Sequence, residues 1–234
     1  MGGCSPQDDE MFSVAHVSDS HNNPSLVRQA CQSNADVVLI TGDCMNNLGR
    51  VNRTEYQISP HAEIKFQQSW YRKQAKKWAK DLGDRPIIAI RGNHDFIDYS
   101  PWLLHYGANV HEITDDNPVV EVFGKRWAGF RQVNYHIGEW SGEEHSLKSH
   151  IQRAFKCKPD ILVTHIPPSG ILDQNSYGDK NYGSSELTGA LSYYEHNITH
   201  HFFGHAHAGG GKVLDTLNIR FINGAKHCLV HEVA

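Results

Sequence analysis

Residues 86–95 read PIIAIRGNHD, a short isoleucine-rich run that stops at Arg91, Gly92, Asn93, His94 and Asp95. An apolar run without alternation is the pattern of a strand buried on both faces, and the change to Asn, His and Asp marks where the chain leaves the core. The same transition recurs in FSVAHVSDSH at 12–21, DVVLITGD at 36–43, DILVTH at 160–165 and HFFGHAH at 201–207. In an α/β sheet, ligands bind where strands end, so five such strands can bring their polar ends to one site.

The intervening segments carry helix and turn signals. Asn23 before Pro24 predicts an N-cap and first helical residue for a helix through about Cys31. Polar Cys44 to Pro60 shows no period and is expected to be a long loop. From His61 to Leu82, the spacing of Ile64, Tyr71, Ala75, Trp78 and Leu82 predicts a helix with a core-facing stripe, stopped by Gly83. A short helix is expected around Trp102 to Tyr106, and two small strands in Val119 to Phe130 around Gly124-Lys125. Ser141 and Glu144 form the pattern of a capping box for a helix burying Leu147, Ile151 and Phe155 and ended by Pro159. A further helix is expected near Ser185 to Glu195, and a hairpin over Val213 to Val230 with Asn218 near its turn.

With 234 residues, 39% of them hydrophobic, the chain has material for one sizeable core and too little for two ordinary domains. The expected organisation is a flexible leader at 1–11 and a single domain at 12–234. A formal charge of -4 and a pI near 6.5 give no general attraction for nucleic acid or an anionic membrane, which argues against polynucleotide substrates. No run approaches the ~20 apolar residues of a membrane span, and MGGCSPQDDE lacks the apolar stretch of a signal peptide. Gly2 invites a lipidation reading, but Pro6 stands where that pattern wants Ser or Thr. Cysteines 4, 31, 44, 157 and 228 are scattered and form no CxxC pair, which suits a reducing cytoplasm and neither a disulfide framework nor a thiolate zinc site.

Asp, Asn and His are borderline-hard ligands suited to Mn²⁺, Fe or Zn²⁺, and no cysteine stands among them, so a catalytic centre is expected in preference to a structural zinc knot. In Asp19-x-His21 and His205-x-His207, a locally extended chain would put both side chains on one side of the backbone, within reach of one ion. Gly42 lets the backbone turn sharply before Asp43, whose two carboxylate oxygens can span two ions about 4 Å apart. Either pair alone would suit a solvated loop as well. Gly92-Asn93-His94-Asp95 directly after an apolar strand is more specific, and the five clusters in this order more specific still.

The series DSH at 19–21, GD at 42–43, GNHD at 92–95, TH at 164–165 and GHAH at 204–207 resembles that of the calcineurin-like metallophosphoesterases. The resemblance implies a four-layer α/β/β/α sandwich. It implies that Asp19, His21 and His207 hold one ion, that Asn93, His165 and His205 hold another, and that Asp43 bridges the two. His94 would lie just outside them as phosphate ligand and general acid. Two divalent cations are expected, Mn²⁺ first, with Fe, Zn or Ni as alternatives. They would activate a bridging hydroxide against a small phosphodiester, cyclic nucleotides included.

Departures from the family narrow the expectation. Gly42-Asp43-Cys44-Met45-Asn46-Asn47 lacks the arginine that serine/threonine phosphatases carry soon after the aspartate, and the chain has no room for the added domain of the DNA-repair nucleases. HIPPSGILD at 165–173 is similar to small single-domain members that include cyclic-nucleotide phosphodiesterases. Two alternatives stay open. One is a phosphomonoesterase or nucleotidase on the same site; the other is a catalytically silent scaffold, which predicts eroded ligands where all seven are present. Arg50 and Arg53 are expected to be solvated loop charges before phosphate contacts, Cys44 a small residue packed under the metals, and Asn175, Tyr177, Asn181 and Tyr182 candidates for the substrate mouth.

Overall fold

The computed structural model describes residues 11–48, 60–134, 141–174 and 181–234. Residues 1–10 of the expected leader lie outside these, as do Arg50, Arg53, Asn175, Tyr177 and most of the loop expected after Cys44. From its start the chain forms β1 (Phe12–Val17), α1 (Pro24–Gln32), β2 (Val37–Thr41), α2 (Pro60–Leu82), β3 (Pro86–Ile90), α3 (Ser100–His105) and β4 (Asn109–Glu112). There follow β5 (Val119–Val122), β6 (Lys125–Phe130), β7 (Val133–Asn134), β8 (Ser141–Gly142), α4 (Leu147–Lys156), β9 (Ile161–Thr164) and α5 (Ser185–Tyr193). The last elements are β10 (His200–Phe203), β11 (Lys212–Thr216), β12 (Ile219–Asn223) and β13 (Cys228–Val233).

Two sheets result. One has the order β13-β1-β2-β3-β4, parallel except for β13. The other has the order β11-β12-β10-β9-β6-β5, with β12, β10, β9 and β6 parallel and both edge strands antiparallel. The apolar strands pack on both faces because successive side chains point oppositely. Ala15, Val17, Val38, Ile40, Ile87 and Ala89 face α1, α2 and α3. Val14, Val37, Leu39, Ile88 and Ile90 face inward, against Trp127, Ile161, Val163 and Phe202 of the second sheet. On its other face that sheet meets α4 and α5 through Phe130, Leu162, Phe203 and Phe221. Helix, sheet, sheet and helix therefore make four layers around three strips of core.

Several local expectations need correction. Asn23 flanks α1 but makes no side-chain cap; its Oδ1 accepts from Ser25 Oγ instead. On α2 the inward residues of the first two turns are Glu63 and Gln67, with Ile64 only half-buried. Ser141 lies in β8, α4 starts at Leu147 with no side-chain cap, and Phe155 is only partly buried. Glu144 serves α5 instead, accepting from Ser184 Oγ at 2.6 Å and Glu186 N–H at 2.9 Å, where a carboxylate meets the open N–H groups of a helix start. The tail is a hairpin only as far as Asn223. It turns at Leu217 and Asn218, both at positive φ, and β13 then crosses to the other sheet and pairs with β1. No helix among the described residues is long and apolar enough to cross a membrane.

Candidate metal centre

Because β1, β2 and β3 run parallel, their polar ends leave the first sheet together, and β9 and β10 do the same for the second. Among the bonds that join the sheets at that end, two are short. His165 Nδ1 lies 2.7 Å from the Thr41 carbonyl, and His205 N–H donates to Asp19 Oδ2 at 2.7 Å. The expectation of an extended chain at the ligands does not hold. Asp19, His21, Asp43 and His205 have φ of 51°, 42°, 54° and 67°, in the left-handed region. Each such position costs about 1–3 kcal/mol for a residue with a side chain. Donation from Asp19 N–H to the Gly42 carbonyl (3.0 Å) and from His21 N–H to the Asp43 carbonyl (2.9 Å) holds two of them there. Gly42 itself, at φ 96°, passes so close to the turn after β3 that a Cβ would meet Gly92 N at 2.5 Å and His165 Nδ1 at 2.6 Å.

The side chains of all seven expected ligands converge. Asp19, His21 and His207 form one group whose donor atoms lie within 4.8 Å of one another, and Asp19, Asp43 and His165 form a second. His207 Nε2 is 3.1 Å from Asp19 Oδ1. Around His165 Nε2 stand Asp43 Oδ2 at 3.3 Å, Asn93 Oδ1 at 3.2 Å and His205 Nδ1 at 3.3 Å. Asp19 is thus common to both groups, while Asp43 acts electrostatically on both His165 and His21. His94 lies at the rim, half-buried. Its N–H donates to Asp43 Oδ1 at 2.7 Å, and its ring meets that of His21 edge-on at 5.3 Å. Of the mouth candidates among the described residues, Tyr182 stands 5.9 Å from the His205 ring, whereas Asn181 is exposed.

These donors suit a cation. With its Nδ1 proton on the Thr41 carbonyl, His165 presents a lone pair at Nε2, where a carboxylate oxygen and an amide oxygen also point; only positive charge makes that convergence favourable. The separations fit as well, since bonds of about 2.1 Å to one ion put neighbouring donors about 3.0–3.4 Å apart. Among the described residues, His21 Nε2 is buried without a hydrogen-bond partner. Burial opposes charge on Asp19, yet the His207 hydrogen bond and the nearby imidazoles hold its carboxyl below the usual range. Asp43 is likewise held low, against burial, by His165 and His94. Burial lowers His21 to about 4, so it presents a neutral ring. Burial also disfavours charge on His165, but Asp43 beside it drives its pKa up to about 10. The pocket combines ionised carboxylates with an affinity for positive charge.

Asp95 and Tyr99 support the centre, and sequence reasoning gave them no role although Asp95 closes the GNHD motif. Asp95 accepts from Asp43 N–H (2.6 Å), Gly92 N–H (2.9 Å), Met45 N–H (3.1 Å) and Tyr99 Oη (2.8 Å), while Tyr99 Oη accepts from Cys44 N–H at 3.2 Å. One buried carboxylate and one phenol thereby fix the turns after β2 and β3 to each other. Cys44 is fully buried beneath them, and burial pushes its thiol pKa up, as suits a packing residue.

The family model for calcineurin-like phosphoesterases matches residues 12–209. Over 67 residues the chain is 39% identical to UPF0046 protein K07C11.7 of Caenorhabditis elegans, a match covering 29% of this chain and 21% of that protein's length. Among solved structures, TT1561 of Thermus thermophilus superposes with a TM-score of 0.59 at 12% identity, over 92% of this chain and 89% of that one. A candidate 5′-nucleotidase from Staphylococcus aureus superposes with a TM-score of 0.54 at 15% identity, over 95% of this chain and 50% of that one. At such identities the structural likeness speaks to the fold alone. The family match runs from β1 to just beyond His207, through every strand end that supplies the site, and the chain belongs to the calcineurin-like phosphoesterases, metal-dependent hydrolases of phosphoric esters.

Proposed function

We propose that the chain hydrolyses small phosphodiesters, cyclic nucleotides among them, at a centre of two divalent cations. Asp19, His21 and His207 hold one, Asn93, His165 and His205 the other, and Asp43 both. The observation that carries this reading is the convergence of Asp43, Asn93 and His205 on the His165 lone pair, beside the Asp19–His207 pair. Bound there, the cations supply Lewis acidity toward the phosphoryl oxygens and acidify the attacking water. Mn²⁺ is the first choice for this mixed oxygen and nitrogen set. The chain's own residues do the rest. Asp95 and Tyr99 hold the Asp43 turn, and His94 faces the rim, where it protonates the departing oxygen as the new P–O bond forms and the old one breaks.

Preference for small diesters over phosphoproteins is supported by the turn after Asp43. Residues 44–47 there are Cys, Met, Asn and Asn, with Cys44 and Met45 wholly buried, so these positions present no arginine to a phosphoprotein. The test is a panel of cyclic nucleotides, nucleoside monophosphates, phosphopeptides and single-stranded DNA, run at equal Mn²⁺ after removal and return of metal. Turnover should vanish on chelation, return with Mn²⁺ and favour the diesters. Undiminished turnover in metal-free protein removes the metal assignment. Preference for monophosphates makes the protein a nucleotidase, and bound metal with no turnover of any ester makes it a scaffold.

A further inference from the structure

Helix α2 buries two polar residues, Glu63 and Gln67, on the face whose later turns pack Tyr71, Ala75 and Trp78 into the core. A buried amide is costly unless both its ends are satisfied, so where they are satisfied shows what the residue holds. Gln67, with no exposed surface, spends both ends on one short segment. Its Nε2 donates to the His94 carbonyl at 2.7 Å, and its Oε1 accepts from Phe96 N–H at 2.8 Å. The same carbonyl accepts from Asn47 Nδ2 at 3.0 Å, and Asn47 is in turn held by Glu63 Oε1 at 2.7 Å. On the other side of the residue, His94 N–H donates to Asp43 Oδ1 at 2.7 Å.

We infer that Gln67 is a positioning residue for His94: it fixes the His94 main chain from the helix side while Asp43 fixes it from the metal side. The inference rests on His94 acting as the general acid. Its physical content is rigidity. A 23-residue helix anchored in the core lends its position to a turn that has no regular structure of its own, and a misplacement of about 1 Å in a reacting group can cost ~10²-fold in rate. The side-chain bonds of Gln67 go to main-chain groups of His94 and Phe96, so its loss acts through the acid and leaves the cations in place.

The test compares wild type, Gln67→Met, His94→Ala and the double variant, each loaded with Mn²⁺, on an alkyl or nucleoside diester and on bis(p-nitrophenyl) phosphate. Methionine keeps the length of glutamine and removes both hydrogen bonds. Gln67→Met should bind the same metal per chain, keep KM near the wild-type value and lose about 10- to 100-fold in kcat on the poor leaving group, with a smaller loss on nitrophenolate, which needs no proton. In the His94→Ala background it should cost nothing further, because the group it positions is gone. Equal losses on both esters, loss of metal, or an undiminished kcat overturns the positioning role while a selective His94→Ala defect stands. A non-selective His94→Ala defect overturns the acid and the positioning role together. Should Gln67→Met fail to fold, Asn47→Ala removes the second donor to the same carbonyl from a half-exposed position and is judged by the same selectivity.

Discussion

Asp43 lies 3.3 Å from His165 Nε2, acts electrostatically on His21 and has its backbone held by Asp95, and the proposed role for it is the bridge between the two cations. Asp43→Ala should therefore strip both ions or leave one bound weakly, which metal analysis of the purified variant reads directly; a normal two-metal stoichiometry would show that Asp43 does not bridge. His94→Ala should keep its metal and lose about 10²- to 10⁴-fold on alkyl or nucleoside esters, the usual worth of general acid catalysis, with a visibly smaller loss on nitrophenyl esters. An equal loss on both points to charge stabilisation in place of proton transfer. The convergence of the seven expected ligand side chains was legible because each cluster stands within a few residues of the end of an apolar strand, and the strands that carry them run parallel. Their backbone was not legible. The positive φ of Asp19, His21 and His205 is imposed by hydrogen bonds between turns far apart in sequence, and nothing in a single Asp-x-His announces it.

Strands and helices were read well where one periodicity ruled. β2, buried throughout, and the later turns of α2 follow their apolar patterns closely. Misreadings came where a polar residue served a distant element. Glu144 resembles a cap for the helix after it but binds the start of α5, and Glu63 and Gln67 look like solvent residues until the His94 turn packs on them. Arg85 is another such residue and carried no sequence signal. Its guanidinium donates to the carbonyls of Ser33 (2.7 Å), Ala35 (2.8 Å), Asp81 (3.3 Å) and Cys31, and its Nε to Leu82 (3.1 Å), closing the C-terminal ends of both α1 and α2. Those last carbonyls have no partner inside their helices. Arg85→Ala should lower stability by about 2–3 kcal/mol in urea unfolding, since hydrogen bonds to a charged group are worth more than neutral ones. Arg85→Lys should recover only part of this, because an ammonium cannot fork between two helix ends. Arg85 precedes β3 at the end of the sheet away from the site, so kcat of the folded variant should not change; a catalytic defect would contradict that separation.

Burial decides the protonation of two histidines, His16 in the layer between the sheets and His201 on the face of the second sheet turned toward α4 and α5. His16 on β1 places Nε2 2.8 Å from Thr41 Oγ1, and His201 on β10 places Nε2 2.8 Å from Thr164 Oγ1. Burial brings His201 to about 3. It does the same for His16, helped by His231 and opposed by Asp19. Both rings are therefore neutral in the folded chain, while in the unfolded chain each titrates near 6.5. The sign follows from proton counting. Above about pH 6.5 neither state binds these protons and the full stability is present; as pH falls from there toward 3 the unfolded chain takes them up and the folded chain does not, so stability is lost. Each group contributes at most about 1.4 kcal/mol per pH unit in that window. Urea unfolding of metal-free protein between pH 7.5 and 4.5 keeps metal release out of the measurement. It should show a steep fall below pH 6.5, and His201→Gln should flatten that fall by about one proton's worth even if it lowers stability at pH 7.5. An unchanged slope in the variant would mean that the ring between β9 and β10 carries its proton in the fold, and that the second sheet tolerates a charge in its core.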